Sequence, residues 1–489
     1  MNITLISLDP ELYCIGIRIL SAGLRNAGHS VQCLFLPLEN NKYRVEYTNG
    51  LLDTVGSLCG DSGLIGLSLM TNQYLQAINV TTHLKRRGLK GRFIWGGIHP
   101  TVEPEACLEY ADAVCLGEGE RALVELANAM EHGRHFHSIE NLWFKSGNEL
   151  IRNPLRPLIQ DLDSIPYPDY SCESHFVAAG GRIQDLTVDK LIQFQGKRYR
   201  ALGKKIIYPV MTSRGCPFAC SYCCNSVYDS LYPGQRRLRW RSVSNVIGEL
   251  KMIQSKVASI EYVIFVDDNF TARSKKELKI FCDQYRKEIG TPYFAQISPL
   301  TISEEKINTL LNSGCVKIVM GIETNNERIA SLYNRAQSHR AMPEGVALLE
   351  KYRSRMPLPP SYQFIIDNPY ETLDDTLETL RFALNLPRPW DNPIYSLMLF
   401  PGTPLYKKAQ NDGLIKDKKS QIYRKDWLEY SKPFYRIWVR LYRANMFPWL
   451  LRILLKPWIA RILTKKIVST VLLQKQFRWI WDADCSGKK

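Results

Sequence analysis

Over the first 150 residues, short apolar runs alternate with stretches whose apolar positions recur at helical spacing. Ile3–Ser7 reads as a strand, and Ile15–Ala27 reads as a helix closed by Gly28. Val31–Leu36 and Leu64–Leu69 read as the next two strands, and Leu75–Arg87 as a helix ended by Gly88. Phe93–Trp95 runs into Gly96-Gly97. Ala111–Leu116 runs into Gly117-Glu118-Gly119-Glu120, which opens a helix over Ala122–Met130. Strands alternating with helices predict an α/β domain with a doubly wound parallel sheet. Such sheets bind ligands at the carboxyl ends of their strands. Those ends carry Ser68, Met70, Thr71 and Asn72 after the third strand, Gly96-Gly97-Ile-His99-Pro100 after the fourth, and the Gly117–Glu120 turn after the fifth. Small residues at several strand ends let backbone approach a bulky ligand, although the same glycines also serve tight turns. Ser7-Leu-Asp-Pro10 follows the first strand in place of a Gly-rich fingerprint, so a dinucleotide is not expected.

The second half repeats the strand–helix rhythm behind a different kind of loop. The apolar run Ile206–Met211 leads into Ser213-Arg-Gly-Cys216-Pro-Phe-Ala-Cys220-Ser-Tyr-Cys223-Cys224, a C-x3-C-x2-C spacing. Three thiolates within eight residues can wrap one iron–sulfur cluster and leave one iron open to act as a Lewis acid. A structural zinc site usually shows two separated C-x2-C pairs, and no second pair occurs. Cys224 is read as packing, because adjacent side chains of extended backbone point to opposite sides. The chain holds 13 cysteines, an odd number scattered mostly through apolar stretches, which argues for free thiols in a reducing compartment.

The motif Cys216-x3-Cys220-x2-Cys223, with Tyr222 before its last cysteine, resembles the radical SAM superfamily. That resemblance implies a 4Fe-4S cluster on Cys216, Cys220 and Cys223 whose open iron binds S-adenosylmethionine. The strands that follow are similar too. Tyr262–Val266 precedes Asp267 and Asp268, and Tyr293–Ile297 contains Gln296 and precedes Ser298. Val316–Gly321 with Ile322-Glu323 resembles the fourth-strand G-x-E motif, whose Glu contacts the ribose of S-adenosylmethionine. Tyr222, Gly321, Glu323, Asp268 and Gln296 are therefore the expected S-adenosylmethionine residues. For Asp267, Asp268 and Glu323, helix capping or an ordinary loop role is the alternative. Tyr362–Ile366 leads into Asp367-Asn-Pro-Tyr-Glu371-Thr372, an altered form of the family's Gly-x-Pro-Gly-Glu-Thr. Tyr395–Leu399 leads into Phe400-Pro-Gly-Thr-Pro-Leu-Tyr406. The fold implied is a (β/α)6 partial barrel.

The amino-terminal half resembles the flavodoxin-like cobalamin-binding domain of one radical SAM subgroup, and Asp161–Asp169 resembles its linker. Ser68, Thr71, Gly96, Gly97, Gly117, Glu118 and Gly119 are the expected cobalamin residues. The D-x-H-x-x-G loop that supplies a cobalt-ligating histidine elsewhere is absent; Asp9-Pro-Glu-Leu-Tyr13 stands there. The expected organisation is a cobalamin domain over residues 1–150, a linker over 151–205, the barrel over 206–410 and a helical extension over 411–489. The implied chemistry is cobalamin-dependent C-methylation of an unactivated carbon after a deoxyadenosyl radical removes its hydrogen. The alternatives are an oxidative cyclase without methyl transfer, a non-enzymatic membrane-associated iron–sulfur binding protein, and a methylthiotransferase on RNA or protein. The last would want an amino-terminal three-cysteine set, and Cys14, Cys33 and Cys59 are too scattered. An external electron donor such as a flavodoxin or ferredoxin is also implied.

Charge singles out the tail. The net charge is +16, from 64 Lys and Arg against 48 Asp and Glu. Ten basic residues lie between Phe434 and Trp481, namely Arg436, Arg440, Arg443, Arg452, Lys456, Arg461, Lys465, Lys466, Lys475 and Arg478, with no Asp or Glu among them. Trp438, Tyr442, Phe447, Trp449, Trp458 and Trp479 are interleaved, and Pro448 and Pro457 break the stretch into short helices. Basic residues with Trp and Leu at helical spacing fit a membrane interface. Packing back on the barrel and binding nucleic acid are the alternatives, the last ranked lowest. A surface of this kind favours a hydrophobic substrate, such as an isoprenoid lipid or a porphyrin-type pigment. Met1-Asn-Ile-Thr-Leu-Ile-Ser has no basic flank and no long apolar run, so no signal peptide is expected. No uncharged apolar stretch reaches the ~18 residues of a membrane span. The expected location is the cytoplasm, with possible contact at the inner face of the membrane.

Overall fold

The structure, a computed structural model, describes residues 1–464 apart from 11, 13, 38–45, 148, 192–193, 195–205, 258–259, 390 and 446. Lys465, Lys466, Lys475, Arg478 and Trp479 lie outside the described residues. The chain divides into two compact units. One holds Met1–Ala295, Asn312–Cys315 and Leu399–Lys425; the other holds Gln296–Leu311, Val316–Met398 and Asp426–Lys489.

In the first unit, β1 (Asn2–Ser7), β2 (Ser30–Phe35), β3 (Leu64–Ser68), β4 (Arg92–Gly96) and β5 (Ala113–Cys115) form a parallel core in the order β5-β4-β3-β1-β2. This is the doubly wound order expected. The strands are apolar on both faces because helices cover both, and β1 is buried from Ile3 to Ser7. The sheet is wider than expected, and mixed. β6 (Leu142–Ser146) and β7 (Glu149–Arg152) add an antiparallel hairpin beyond β5, and β8 (His175–Ala179) and β9 (Arg182–Asp185) add another beyond β2. The stretch read as linker thus contributes β8, which runs parallel to β2. Asp169, at the end of the linker phrase, explains why this chain is held down. Its carboxylate accepts from Ser21 at 2.8 Å and faces Arg25 at 3.1 Å and His175 at 3.3 Å. The helix Asn49–Cys59 was also not foreseen; Thr48 caps it, its hydroxyl accepting from Leu51 N.

The cysteine-bearing half begins with β10 (Ile207–Val210) and a two-residue hairpin, β11 (Ser213–Arg214) with β12 (Arg239–Trp240). Next come β13 (Tyr262–Phe265), β14 (Tyr293–Ile297), β15 (Cys315–Glu323), β16 (Ser361–Ile366) and β17 (Ile394–Ser396). β10, β13 and β14 run parallel in that order, as do β15, β16 and β17 in the second unit. Three parallel strands in chain order in each unit fit the strand sequence expected of the partial barrel.

In the second unit the basic–aromatic tail takes two parts. Helix Pro433–Arg443 is core, with Phe434, Tyr435, Trp438 and Tyr442 buried and Tyr442 Oη accepting from Asn392 at 3.0 Å. Helices Pro448–Leu454 and Pro457–Thr464 leave their aromatics exposed. No helix among the described residues is long and apolar enough to cross a membrane.

The loop after β16 stores a pH dependence. Burial raises the Glu371 carboxyl from its ordinary value to about 7, although Asn368 N and Thr376 Oγ1 donate to it. A carboxyl raised in the folded state contributes stability below its unfolded pKa and loses it as pH climbs through the folded value. Unfolding stability should therefore fall between pH 4.5 and 7 by up to about 3 kcal/mol from this group. Glu371→Gln should flatten that decline in urea titrations; an unchanged pH profile would place its origin elsewhere.

Candidate active site

The first unit contains a cavity of about 340 Å³ at the carboxyl ends of two sets of strands. On one side it is walled by Gly66–Ser68 of β3, by Gly96 at the end of β4 with Gly97 after it, and by Gly117–Glu120 after β5. On the other side stand Met211, Ser213–Cys216, Asn225, Tyr228, Val266 and Asp268, at the ends of β10 and β13. The carboxyl ends of both sets of strands thus line one cavity within this unit.

At Gly97 and Gly117 the wall leaves no room for side chains. Gly97 and Gly117 have φ of +99° and +68°. A Cβ on Gly97 would stand 2.8 Å from Leu69 O, and one on Gly117 would collide with the Tyr232 hydroxyl. A wide, flat ligand pressed onto these strand ends meets backbone, which fits a corrin ring. Ser68 and Gly119 line the cavity with them, whereas Thr71 is buried in the turn after β3 and is not on its wall. Two neighbours of that turn are orphaned. Neither ring nitrogen of buried His99, nor either amide atom of buried Asn72, has a hydrogen-bond partner among the described residues. Burial pushes the His99 imidazole down to about 4, so it is neutral.

The cysteine loop leaves the β11 strand and turns back on itself, with Cys223 N donating to Cys220 O at 3.1 Å and Asn225 closing the turn. Cys216 lines the cavity, Cys220 is buried, and Cys223 and Tyr222 are half-buried. Burial pushes the Cys216 thiol up to about 12, while Cys224, the leading influence, and Asn225 hold Cys223 below its ordinary value. No disulfide forms among the described residues. No three His, Cys, Asp or Glu among them converge on a single ion. An all-thiol set spread along one loop suits a polynuclear iron–sulfur body, which is wider than one cation.

The Asp267–Asp268 pair splits. Asp267 is buried and ties the strand ends together, accepting from Thr212 N at 2.9 Å, Thr212 Oγ1 at 2.8 Å and Ser213 Oγ at 2.5 Å. Asp268 faces the cavity and accepts from Asn225 Nδ2 at 3.0 Å, beside Cys223. In the second unit, β15 ends in a bulge between Gly321 and Glu323. Glu323 sits at φ +70°, a conformation that costs a non-glycine residue ~1–3 kcal/mol and marks a functional or tightly constrained position. Gly321 O accepts from Arg335 Nη2 at 2.8 Å, and a Cβ on Gly321 would stand 2.6 Å from Glu323 Oε1. Gln296 is half-buried on β14.

Sequence reasoning missed two arginines. Glu118, expected at the cofactor, does line the cavity, but its carboxylate is held by Arg214 Nη1 at 2.9 Å and Arg239 Nη1 at 2.9 Å. Arg214 also reaches Glu120 at 2.5 Å, and Ile159 N donates to Glu118 at 2.7 Å. Arg214 stands two residues before Cys216, so the ion network joins the glycine turn directly to the cluster loop.

Two family descriptions match this chain: the B12 binding domain over residues 1–127 and the radical SAM superfamily over residues 210–383. The chain carries an amino-terminal B12-binding domain followed by a radical SAM domain. Its cofactors are a 4Fe-4S cluster, S-adenosylmethionine and cobalamin. A protein of Pyrococcus horikoshii named an uncharacterized methyltransferase is 29% identical over 361 residues, 73% of this chain and 71% of that one. An anaerobic magnesium-protoporphyrin IX monomethyl ester cyclase of Cereibacter sphaeroides is 25% identical over 333 residues, 65% of this chain. The match spans 48%, about half, of that cyclase's length. The solved structure of the radical S-adenosylmethionine methyltransferase TsrM from Kitasatospora setae, with tryptophan and a SAM analogue, superposes with a TM-score of 0.64 at 17% identity. It covers 84% of this chain and 76% of that one, and shows the fold alone. The radical SAM protein is thus a cobalamin-dependent enzyme of the methyltransferase or cyclase type.

The ion network predicts a stability signature. Glu118→Ala leaves Arg239 and Arg214 without their shared carboxylate, and should cost about 3–5 kcal/mol in unfolding stability. Adding Arg239→Met to Glu118→Leu should recover much of that loss. A loss below about 1 kcal/mol for the single variant would mean that the pair is solvated like a surface ion pair.

Proposed function

We propose that this enzyme transfers a methyl group to an unactivated carbon of a hydrophobic, lipid- or pigment-like acceptor, in the cytoplasm or at the inner face of a membrane. The observation that carries the reading is the shared cavity, with glycine-walled strand ends on one side and the Cys216 loop on the other. When bound, the cofactors supply a hydrogen-abstracting adenosyl group and a transferable methyl. In net terms a C–H bond breaks and a C–CH3 bond forms. The hydrogen leaves on deoxyadenosine with methionine, and the methyl comes from a second S-adenosylmethionine, which leaves as its homocysteine form. The electrons come from an external flavodoxin- or ferredoxin-type donor.

The protein's part is to hold, orient and keep dry. Cys216, Cys220 and Cys223 hold the cluster. Gly96, Gly97, Gly117 and Gly119, with Ser68, seat the corrin. Asp268 and Tyr222 are the S-adenosylmethionine residues assigned to the first unit, and Gln296, Gly321 and Glu323 those that the family motif assigns to the second. Leu5, Ile15, Leu67, Ile94 and Val266 give the cavity apolar walls that exclude water from the reacting carbon. Glu118, with Arg214 and Arg239, acts as a positioning group, fixing the glycine turn against the cluster loop.

The hydrophobic acceptor is supported by the tetrapyrrole in the cyclase relative's name. That relative also favours a second reading, ring closure without methyl gain. Anaerobic turnover with reductant, cobalamin and candidate lipids and porphyrins separates the two by product mass. Methyl transfer adds one CH2 to the acceptor and yields S-adenosylhomocysteine. Loss of hydrogen with no methyl gain would replace the first reading by the second.

A further inference from the structure

The exposed part of the tail repeats itself. Pro448-Trp-Leu-Leu-Arg-Ile-Leu454 is followed, nine residues on, by Pro457-Trp-Ile-Ala-Arg-Ile-Leu463. Each copy forms one short helix. Trp, Arg and Ile fall at i, i+3 and i+4, on one face. The other face is anchored: Leu451, Leu455 and Ala460 are buried, Trp438 Nε1 donates to Leu451 O at 3.3 Å, and Arg381 Nη2 donates to Leu455 O at 2.9 Å. The outward face keeps Trp449 at 59% and Trp458 at 62% exposure, with Phe447, Ile453 and Ile462. These five are most of the eight large hydrophobic residues exposed among the described ones, and they fall within sixteen residues of chain.

We infer that this repeated Trp–Arg–Ile face docks on an anionic lipid surface. Charge complementarity selects that partner. Arg452 and Lys456 stand exposed among the aromatics, and no Asp or Glu occurs between Phe434 and Trp481. Arg461 reaches one acid, Asp374, at 3.4 Å, and both groups are exposed to water. Indole rings favour the headgroup level, and isoleucines beside them reach the acyl boundary. The helices are two turns long, too short to span and suited to lie flat. Nucleic acid would be served by aromatics and cations alone and gains nothing from Ile453 and Ile462. The surface lies on the second unit, and its test is independent of the methyl-transfer reading.

The test is flotation of the full-length reconstituted protein with vesicles of phosphatidylcholine alone or mixed with phosphatidylglycerol, with deoxyadenosine formation measured in parallel. The protein should float with the mixed vesicles and much less with the neutral ones, and should release at high salt. Trp449→Glu with Trp458→Glu should abolish flotation, and Arg452→Ala with Lys456→Ala should weaken it about 25-fold. Both variants should keep the deoxyadenosine rate, which shows them folded. The inference is overturned if the parent does not float with anionic vesicles. It is equally overturned if the tryptophan variant floats as well as the parent, or if single-stranded nucleic acid competes the protein off the vesicles.

Discussion

A carboxylate buried between two guanidinium groups is worth having only if every partner stays in place. Removing two charges from water costs several kcal/mol per ion, and the mutual attraction offsets it only in good geometry. Glu118 meets that condition with Arg214, Arg239 and the Ile159 amide. The consequence is geometric. The turn that faces one end of the cavity and the loop that carries Cys216 cannot drift apart without exposing an unpaired charge. A reaction that passes a carbon centre between two cofactors needs such a fixed separation, and hydrophobic packing, which is non-directional, specifies it less sharply.

Much of this was legible in the chain, for identifiable reasons. Every core strand of the doubly wound sheet is a short apolar run ended by a glycine or a polar turn, and each was found within one or two residues. The cysteine spacing named the cluster loop, and glycines at two adjacent strand ends, with Ser68 at a third, named the opposite wall. What escaped was long-range. Arg214 lies inside the cysteine phrase, but its partner Glu118 is 96 residues away, and nothing local to either residue announces the pair. The hairpin β11–β12 is two residues per strand, too short to leave a periodic signal. β8 and β9 hid in a stretch read as linker because they are only five and four residues long; Asp169, which latches them, was read only as the end of the linker phrase.

The tail shows the same limit from the other side. Trp438 and Trp449 have the same chemistry and similar basic neighbours, yet one is core and the other is exposed. Composition allowed both packing and surface binding, and the fold assigns each to a different helix. Likewise Asp267 and Asp268 are identical and adjacent, and only backbone alternation sends one into the strand-end hydrogen bonds and the other into the cavity.

The proposed chemistry requires three thiols that hold a cluster with one iron free for S-adenosylmethionine. The most direct measurement is deoxyadenosine released on reduction of anaerobically reconstituted protein, comparing the parent with the variant carrying Cys216→Ala, Cys220→Ala and Cys223→Ala. The parent should form deoxyadenosine and show iron–sulfur absorbance, and the variant should do neither. Equal deoxyadenosine from both would contradict the account.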